Sequence, residues 1–549
     1  MLRIGNCSGF YGDRLPAMRE MLEGGGPDGV LDVLTGDYLA ELTMLILQRD
    51  RAADPGAGYA RTFLAQLRDC LRLALDRRVT IVANAGGVNP AALAAAIKDL
   101  DPAARVATIN NVRHDDGYAY LGAFGIALAI EAGADVVVTG RVTDASLVVG
   151  PAIARFGWNR TDLDALAGAT VAGHVLECGT QSTGGNYAFF VEIDDLDRPG
   201  FPIAEIRPDG SSVITKHPGT GGAVTVGTVT AQLVYEIGDA RYAGPDVTTR
   251  LDTVELRAAG PDRVEITGVR GEAPPPDLKV AHTSVGGFRN ELTVVLTGLD
   301  IEAKAALFRR QFEAAARTRP AEVTWTLTRL DVPDAPTQQQ ASALLTVVAR
   351  DRDEKVAGRA FADGAVELAL ASYPGFFATS PPGRAHPYGV FTSSYVRQGE
   401  HEVVLADGTV ETIAPPPVTR ALEPLTGPPP GGAAFSQARR LPLGTLAGAR
   451  SGDKGGDANI GLWVRDARAY PWLSALITER TLKDLLPEAA ELPIRITRLP
   501  RINAVNVVIE GLLGQGVAYH ARFDPQAKGL GEWLRARHVD IPAWLLEDA

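Results

Sequence analysis

The stretch VVVTGRVTDAS (Val136–Ser146) constrains this chain more than any other. An unbroken valine run is the pattern of a strand buried on both faces, as in a parallel sheet covered by helices. It breaks off into Thr139-Gly140-Arg141-Val142-Thr143-Asp144, and the helical pattern ASLVVGPAIARFG follows. Earlier stretches repeat the scheme: LRIGNCSG runs into DRLPAMREMLEGG, GVLDVLTGD into YLAELTMLILQR, and RVTIVANAGGVNP into AALAAAIKDL. ARVATINN reads as one more strand and YLGAFGIALAIEAGA as a long apolar helix. Alternation of this kind predicts an α/β fold with a mostly parallel sheet covered by helices.

In open α/β sheets a ligand binds just beyond the carboxyl ends of the strands. Four such ends carry similar residues here: Asn6, Ser8 and Gly9; Asp37; Asn84, Gly86, Gly87 and Asn89; and Thr139, Gly140, Arg141, Thr143 and Asp144. Glycines let backbone amides approach a ligand, and the helix starts behind these loops favour an anion. Asp37 and Asp144 are candidate acid–base groups and Arg141 a two-pronged anion clamp. The alternative for the last loop is structural: Thr143 or Asp144 caps the next helix and Arg141 pairs with Asp144.

From about Val171 the pattern is expected to become strand-rich, with a polar loop bearing Gly184, Gly185 and Asn186 before an aromatic strand. A second loop carries Lys216, His217, Gly219, Thr220 and Gly221. Both could present amides to a phosphate or an oxyanion. Neither has the glycine–Lys–Ser/Thr order of a nucleotide-binding P-loop. Between Arg250 and Thr412 short strands such as RVEITGVRG, ELTVVLTG and ALLTVVAR surround an amphipathic helix, Ile301–Arg317, an α+β extension of the first sheet. A Pro/Gly-rich stretch over 413–440 reads as a linker between a large domain (1–412) and a small one (441–549). The order of elements in the small domain fits a ferredoxin-like α+β sandwich.

The balance of 54 basic against 66 acidic residues gives a net charge of −12, which argues against nucleic acid or an anionic membrane as partner. Three dispersed cysteines without a CxxC pair point to a reducing compartment, hence the cytoplasm, and away from structural zinc. His114, Asp115 and Asp116 are adjacent instead of one helical turn apart, so no metal site is expected there. No cofactor motif is present, and none is expected.

Several longer stretches carry a resemblance: RIGNCSGFYGDR, NAGGVNP, VVVTGRVTDASLVVGP, ECGTQSTGGNY, KHPGTGGAVT and ARSGDKGGDANIG. Together they resemble the acyclic terpene utilisation A (AtuA) family, along the whole chain. That resemblance implies a pathway of bacterial citronellol and geraniol catabolism and an acyl-CoA thioester as small-molecule substrate. A lyase or hydratase using Asp144 or Asp37 as base is one expectation; a non-catalytic partner or scaffold of an acyl-CoA carboxylase pathway is the other. A homo-oligomer is expected. In the small domain, Arg450, Asp453, Lys454, Gly455, Gly456, Asp457 and Asn459 suit either a CoA phosphate or a charged contact that completes the site of the large domain; the structural alternative is a tight turn with surface charges.

Overall fold

The computed structural model describes residues 1–26, 30–315, 318–425 and 437–547. Five parallel strands form the centre of one large sheet: β1 (Leu2–Asn6), β2 (Val33–Gly36), β3 (Thr80–Ala83), β4 (Val106–Ile109) and β5 (Val136–Thr139). They lie in the order β1-β2-β3-β5-β4. β5 is sandwiched, with Val137 facing Val82 on one side and Ala107 on the other. Every residue of β5 is buried, which is why its sequence needs no polar alternation. The quoted valine run is therefore the inner strand of an α/β sheet, as expected.

Antiparallel strands extend this core on both flanks. Pro202–Ile206 pairs with β1, and His401–Val404 pairs with β4. Helices Ala17–Glu23, Arg61–Arg77 and Pro90–Leu100 supply apolar faces to one core cluster, where Phe63, Leu67 and Ile97 join Ile81 and Val138. Helices Ser146–Phe156 and Leu163–Glu177 supply the other, around Val137. The second of these corrects the expectation of strands from Val171. Its small, apolar residues (LAGATVAGHVLE) are buried along nearly the whole length, and burial on all sides removes the alternation that separates strand from helix. The expected aromatic strand after Gly185 is likewise absent; 3₁₀ turns span Gly179–Thr183 and Phe190–Glu192.

The chain forms two compact units. The larger comprises Met1–Thr283, Phe391–Val517 and Gln526–Ala549, and the smaller Ser284–Val390 with Ala518–Pro525. These units cut across the segments 1–412 and 441–549. In the smaller unit, strands Ser342–Asp351 and Glu322–Thr328 pair antiparallel, and Phe308 of helix Ile301–Ala315 packs with Phe312, Trp325 and Tyr373. Within the larger unit the carboxyl-terminal segment builds its own four-stranded antiparallel sheet from Ala447–Lys454, Asp457–Val464, Ala504–Ile509 and Ile494–Leu499. Its apolar face is covered by residues of helices Tyr470–Leu476, Glu479–Leu485 and Leu530–Ala536. Of the expected linker, residues 426–436 lie outside the described residues, and Ala438–Pro442 pairs with His538–Pro542.

Among the described residues no helix is long and apolar enough to cross a membrane. The three cysteines are free thiols.

Candidate functional site

At the ends of β2 and β5, Asp144 pairs with Arg141 and Asp37 lies within reach of their charges. Arg141, only 4% exposed, places Nη1 3.0 Å from Asp144 Oδ1 and 3.4 Å from the carbonyl of Leu39. Its guanidinium lies 4.2 Å from the centre of the Tyr120 ring. Leu39 in turn donates its N–H to Asp37 Oδ1 at 3.1 Å, so both acids hang on one short stretch of backbone. Asn84, at the end of β3, locks the same loop from two sides. Its Nδ2 donates to Asp37 Oδ1 at 2.6 Å, and its Oδ1 accepts from the N–H of Tyr38 at 2.7 Å. Ser8 completes the set by accepting the N–H of Asp37 on its carbonyl at 2.9 Å.

Their environments differ. Asp37 is buried, and burial first, then the charge of Asp144, pushes its carboxyl well above the usual range against the opposing pull of Arg141. Asp144 keeps 30% of its side-chain surface open. The ion pair expected under the structural reading of this loop is thus present. Helix Ser146–Phe156 has Ala145 at its N-cap, and Thr143 Oγ1 is hydrogen-bonded to Ser146 Oγ at 2.6 Å.

The other candidates from these loops make local contacts. A Cβ on Gly86 would stand 2.5 Å from the carbonyl of Thr139, and one on Gly140 2.3 Å from Asn111 Oδ1. Thr139 bonds through its hydroxyl to the carbonyl of Gly140, and Gly87 supplies a left-handed φ of 54°. Asn89 ties down the loop below it through the carbonyls of Pro55 and Ala57. Asn6 accepts from the N–H of Ser8.

The loop at Lys216 does not join this group. Lys216 is buried and held by Asp262 and the carbonyl of Thr220, and His217 Nε2 donates to the carbonyl of Met21. Here His217, Gly219, Thr220 and Gly221 border a separate cavity of ≈ 310 Å³ with Arg14 and Arg198, and neither Asp37, Arg141 nor Asp144 lines it. Gly184 and Asn186 are left-handed turn residues, and Gly185 donates to the carbonyl of Thr180.

The motif ARSGDKGGDANIG is a β-hairpin. Lys454 faces Asp457 across the two-residue turn Gly455-Gly456, and Gly455 has the positive φ of 65° that such turns give to glycine. Asp457 accepts the N–H of Gly511, and a Cβ on Gly456 would strike the carbonyl of Gly514 at 2.2 Å. Arg450, Lys454 and Asn459 instead reach the larger sheet's segment. Arg450 Nη2 donates to Gln181 Oε1 at 2.5 Å and its guanidinium lies 4.5 Å from the centre of the Tyr235 ring. Lys454 Nζ donates to the carbonyl of Glu236 at 2.6 Å, and Asn459 Oδ1 accepts the N–H of Glu236 at 2.7 Å.

These contacts close on themselves. From Asp144 they pass through Arg141 and Tyr120 to Lys279, whose Nζ lies 5.1 Å from the Tyr120 centroid and 5.3 Å from that of Phe391. Phe391 touches Gly455, where a Cβ would stand 3.0 Å from its ring. The neighbouring Lys454 leads to Glu236 and Tyr235, then to Arg450 and Gln181. Gln181 adjoins Cys178, whose carbonyl carbon would lie 2.6 Å from a Cβ on Gly9, and Ser8 returns to Asp37. Sequence reasoning missed Tyr120, Lys279, Tyr235, Glu236 and the buried pair His174–Glu177 in this neighbourhood. None of them stands at the end of a parallel strand, which was the signal being followed. Among the described residues no group of three or more His, Cys, Asp or Glu side chains could hold a metal ion.

A strand-end acid pair on a mixed α/β sheet, joined to a small antiparallel module, defines a two-module α/β protein. Family models then give it a place. The model described as acyclic terpene utilisation family protein AtuA matches residues 2–116 and 104–405, and that of the AtuA ferredoxin-like domain matches 441–540. The chain belongs to the AtuA family of acyclic terpene utilisation. No curated protein matches it.

Proposed function

We propose that the site around Asp37, Asp144 and Arg141 is that of a lyase acting as a hydratase on a branched acyl-CoA thioester. The reading rests on one observation: two neighbouring carboxyls stand in unlike settings, Asp144 partly open and paired with Arg141, Asp37 buried and under the charge of both. Environments that push two acids apart assign them opposite roles in proton transfer. Asp144 takes a proton from water, whose oxygen bonds to the β-carbon of an unsaturated thioester. The π pair moves to the thioester oxygen as an enolate, and protonated Asp37 delivers its proton to the α-carbon. One water has been added, and the two carboxyls have exchanged protonation states, which proton exchange with solvent restores. Arg141 orients Asp144. Family membership supports the substrate class, and the acidic balance of the chain suits a cytoplasmic protein without nucleic-acid or membrane partners. A homo-oligomer, read by light scattering, belongs to the same proposal.

The test is incubation of the purified chain with a panel of branched enoyl- and 3-hydroxyacyl-CoAs, followed by mass spectrometry. Gain or loss of one water is expected. No mass change across the panel, with co-purification of an acyl-CoA carboxylase, would move the scaffold reading ahead.

A further inference from the structure

Glu236 sits opposite the acid pair on the circuit of contacts, and its backbone setting is unusual. It holds a left-handed φ of 56°, a conformation that costs a non-glycine residue free energy and persists only when its surroundings impose it. Here they do. Its N–H is taken by Asn459, its carbonyl by Lys454, and both partners come from the carboxyl-terminal hairpin. Lys528, from the segment before helix Leu530–Ala536, stands 3.9 Å from the Glu236 carboxylate and 3.6 Å from Asp453. The same ammonium donates to the hydroxyl of Tyr235. Two carboxylates thus share one lysine. Glu236 keeps 40% of its side-chain surface open although protein surrounds it.

Behind it lies a second polar pair. His174 Nδ1 donates to Glu177 Oε1 at 2.8 Å, with both side chains buried. Among the described residues His174 Nε2 and Glu177 Oε2 have no hydrogen-bond partner, which a buried polar atom tolerates only at a cost. The charges of Glu236 and Lys454 both reach this histidine. The field of Glu236 also reaches the Cys178 thiol, together with that of Asp37, and the Tyr242 hydroxyl, together with that of Asp144. Contacts join the two acid pairs by way of Tyr235, Arg450, Gln181 and Cys178 on one side and of Lys279 and Phe391 on the other.

We propose that Glu236 is a second proton-transfer group of this site, and that the ferredoxin-like module completes the site by fixing the Glu236 backbone through Asn459 and Lys454 and setting Lys528 between the Glu236 and Asp453 carboxylates. The proposal builds on the acid-pair reading of Asp37 and Asp144, but its test does not depend on that reading. The groups that face Glu236 are Tyr235, Asp453, Lys454 and Lys528, with Arg495 bonded nearby to the carbonyl of Gly238. Burial and then Asp453 raise the carboxyl, while Lys528, Tyr235 and Lys454 lower it, leaving it at about 7. A group poised there can both give and take a proton at neutral pH.

The experiment is a carbon-13 NMR titration of the glutamate carboxyls in the full-length chain, with Glu236→Gln identifying the resonance. A midpoint near 7 is expected, moving up in Lys528→Met and down in Asp453→Asn. In parallel, thioester turnover should fall at least about a hundredfold in Glu236→Gln, with loss of the limb near neutrality in the pH profile. A midpoint in the ordinary carboxyl range, or one indifferent to both module substitutions, overturns the proposal even if thioesters turn over. Undiminished turnover in Glu236→Gln with an unchanged pH profile does the same. A wild-type chain that turns over no thioester overturns the lyase reading instead, and the titration still decides Glu236.

Discussion

Asp37 is more costly to the fold than an asparagine would be, and that asymmetry is measurable. The folded state holds its proton to higher pH than the unfolded chain, whose aspartates titrate near about 3.9. More protons bound in the folded state means that stability falls as pH rises. The contribution is complete below the ordinary carboxyl range and is lost as pH climbs through the raised value. Asp37→Asn removes that loss. At neutral pH the variant should unfold at a temperature equal to or above that of the wild type, while turnover drops by about a hundredfold or more. A clear fall in thermal midpoint would make Asp37 a structural acid. Gly140 shows the opposite case, a residue needed only for space. In Gly140→Ala the new carbon meets Asn111 Oδ1 at 2.3 Å, the atom that accepts the N–H of Arg141 at 2.7 Å. The expected cost is about 1–3 kcal/mol in a denaturant titration, with the Arg141–Asp144 pair displaced.

At the level of elements, the parallel strands were legible because burial on both faces leaves an uninterrupted apolar run, and β5 is one. The acid pair was legible for the same reason: it follows directly on strand ends. Helix Leu163–Glu177 was not. Its buried faces leave no polar stripe, so neither periodicity shows. His174 and Glu177 were missed with it, since three residues apart they share a face only if the segment is helical. That pair carries its own prediction. Burial opposes charge on His174, but the Glu177 carboxylate outweighs it and raises the imidazole above its usual value. The stabilisation is full below about 6.5 and disappears as pH rises through the raised value. His174→Gln should flatten this dependence in pH-resolved thermal unfolding. Asn459 belongs to the hairpin in the same way. It is wholly buried, and Asn459→Ala strands the N–H of Glu236, at a cost of about 1–3 kcal/mol.

Across the whole of the larger unit, one apolar core ignores the order of the chain. Trp463 and Ala504 of the ferredoxin-like module are buried in the same cluster as Val137 and Val175. Trp463 stacks on Tyr187 with ring centres 6.1 Å apart. The fit depends on two glycines: a Cβ on Gly461 would lie 2.2 Å from a Val234 methyl, and one on Gly452 2.5 Å from the Tyr235 ring. Gly461→Val should therefore unseat the module, read as loss of cooperativity in thermal unfolding and as proteolysis that releases it, whereas a valine at the open Gly399 should change neither. That closeness has a consequence for inheritance. A joint made from missing side chains admits no looser fit, so neither partner can drift alone, and a gene divided between Leu425 and Gln437 would still have to be expressed as both halves. The covalent link then serves to keep two polypeptides in equal number, a task that a shared operon could perform as well.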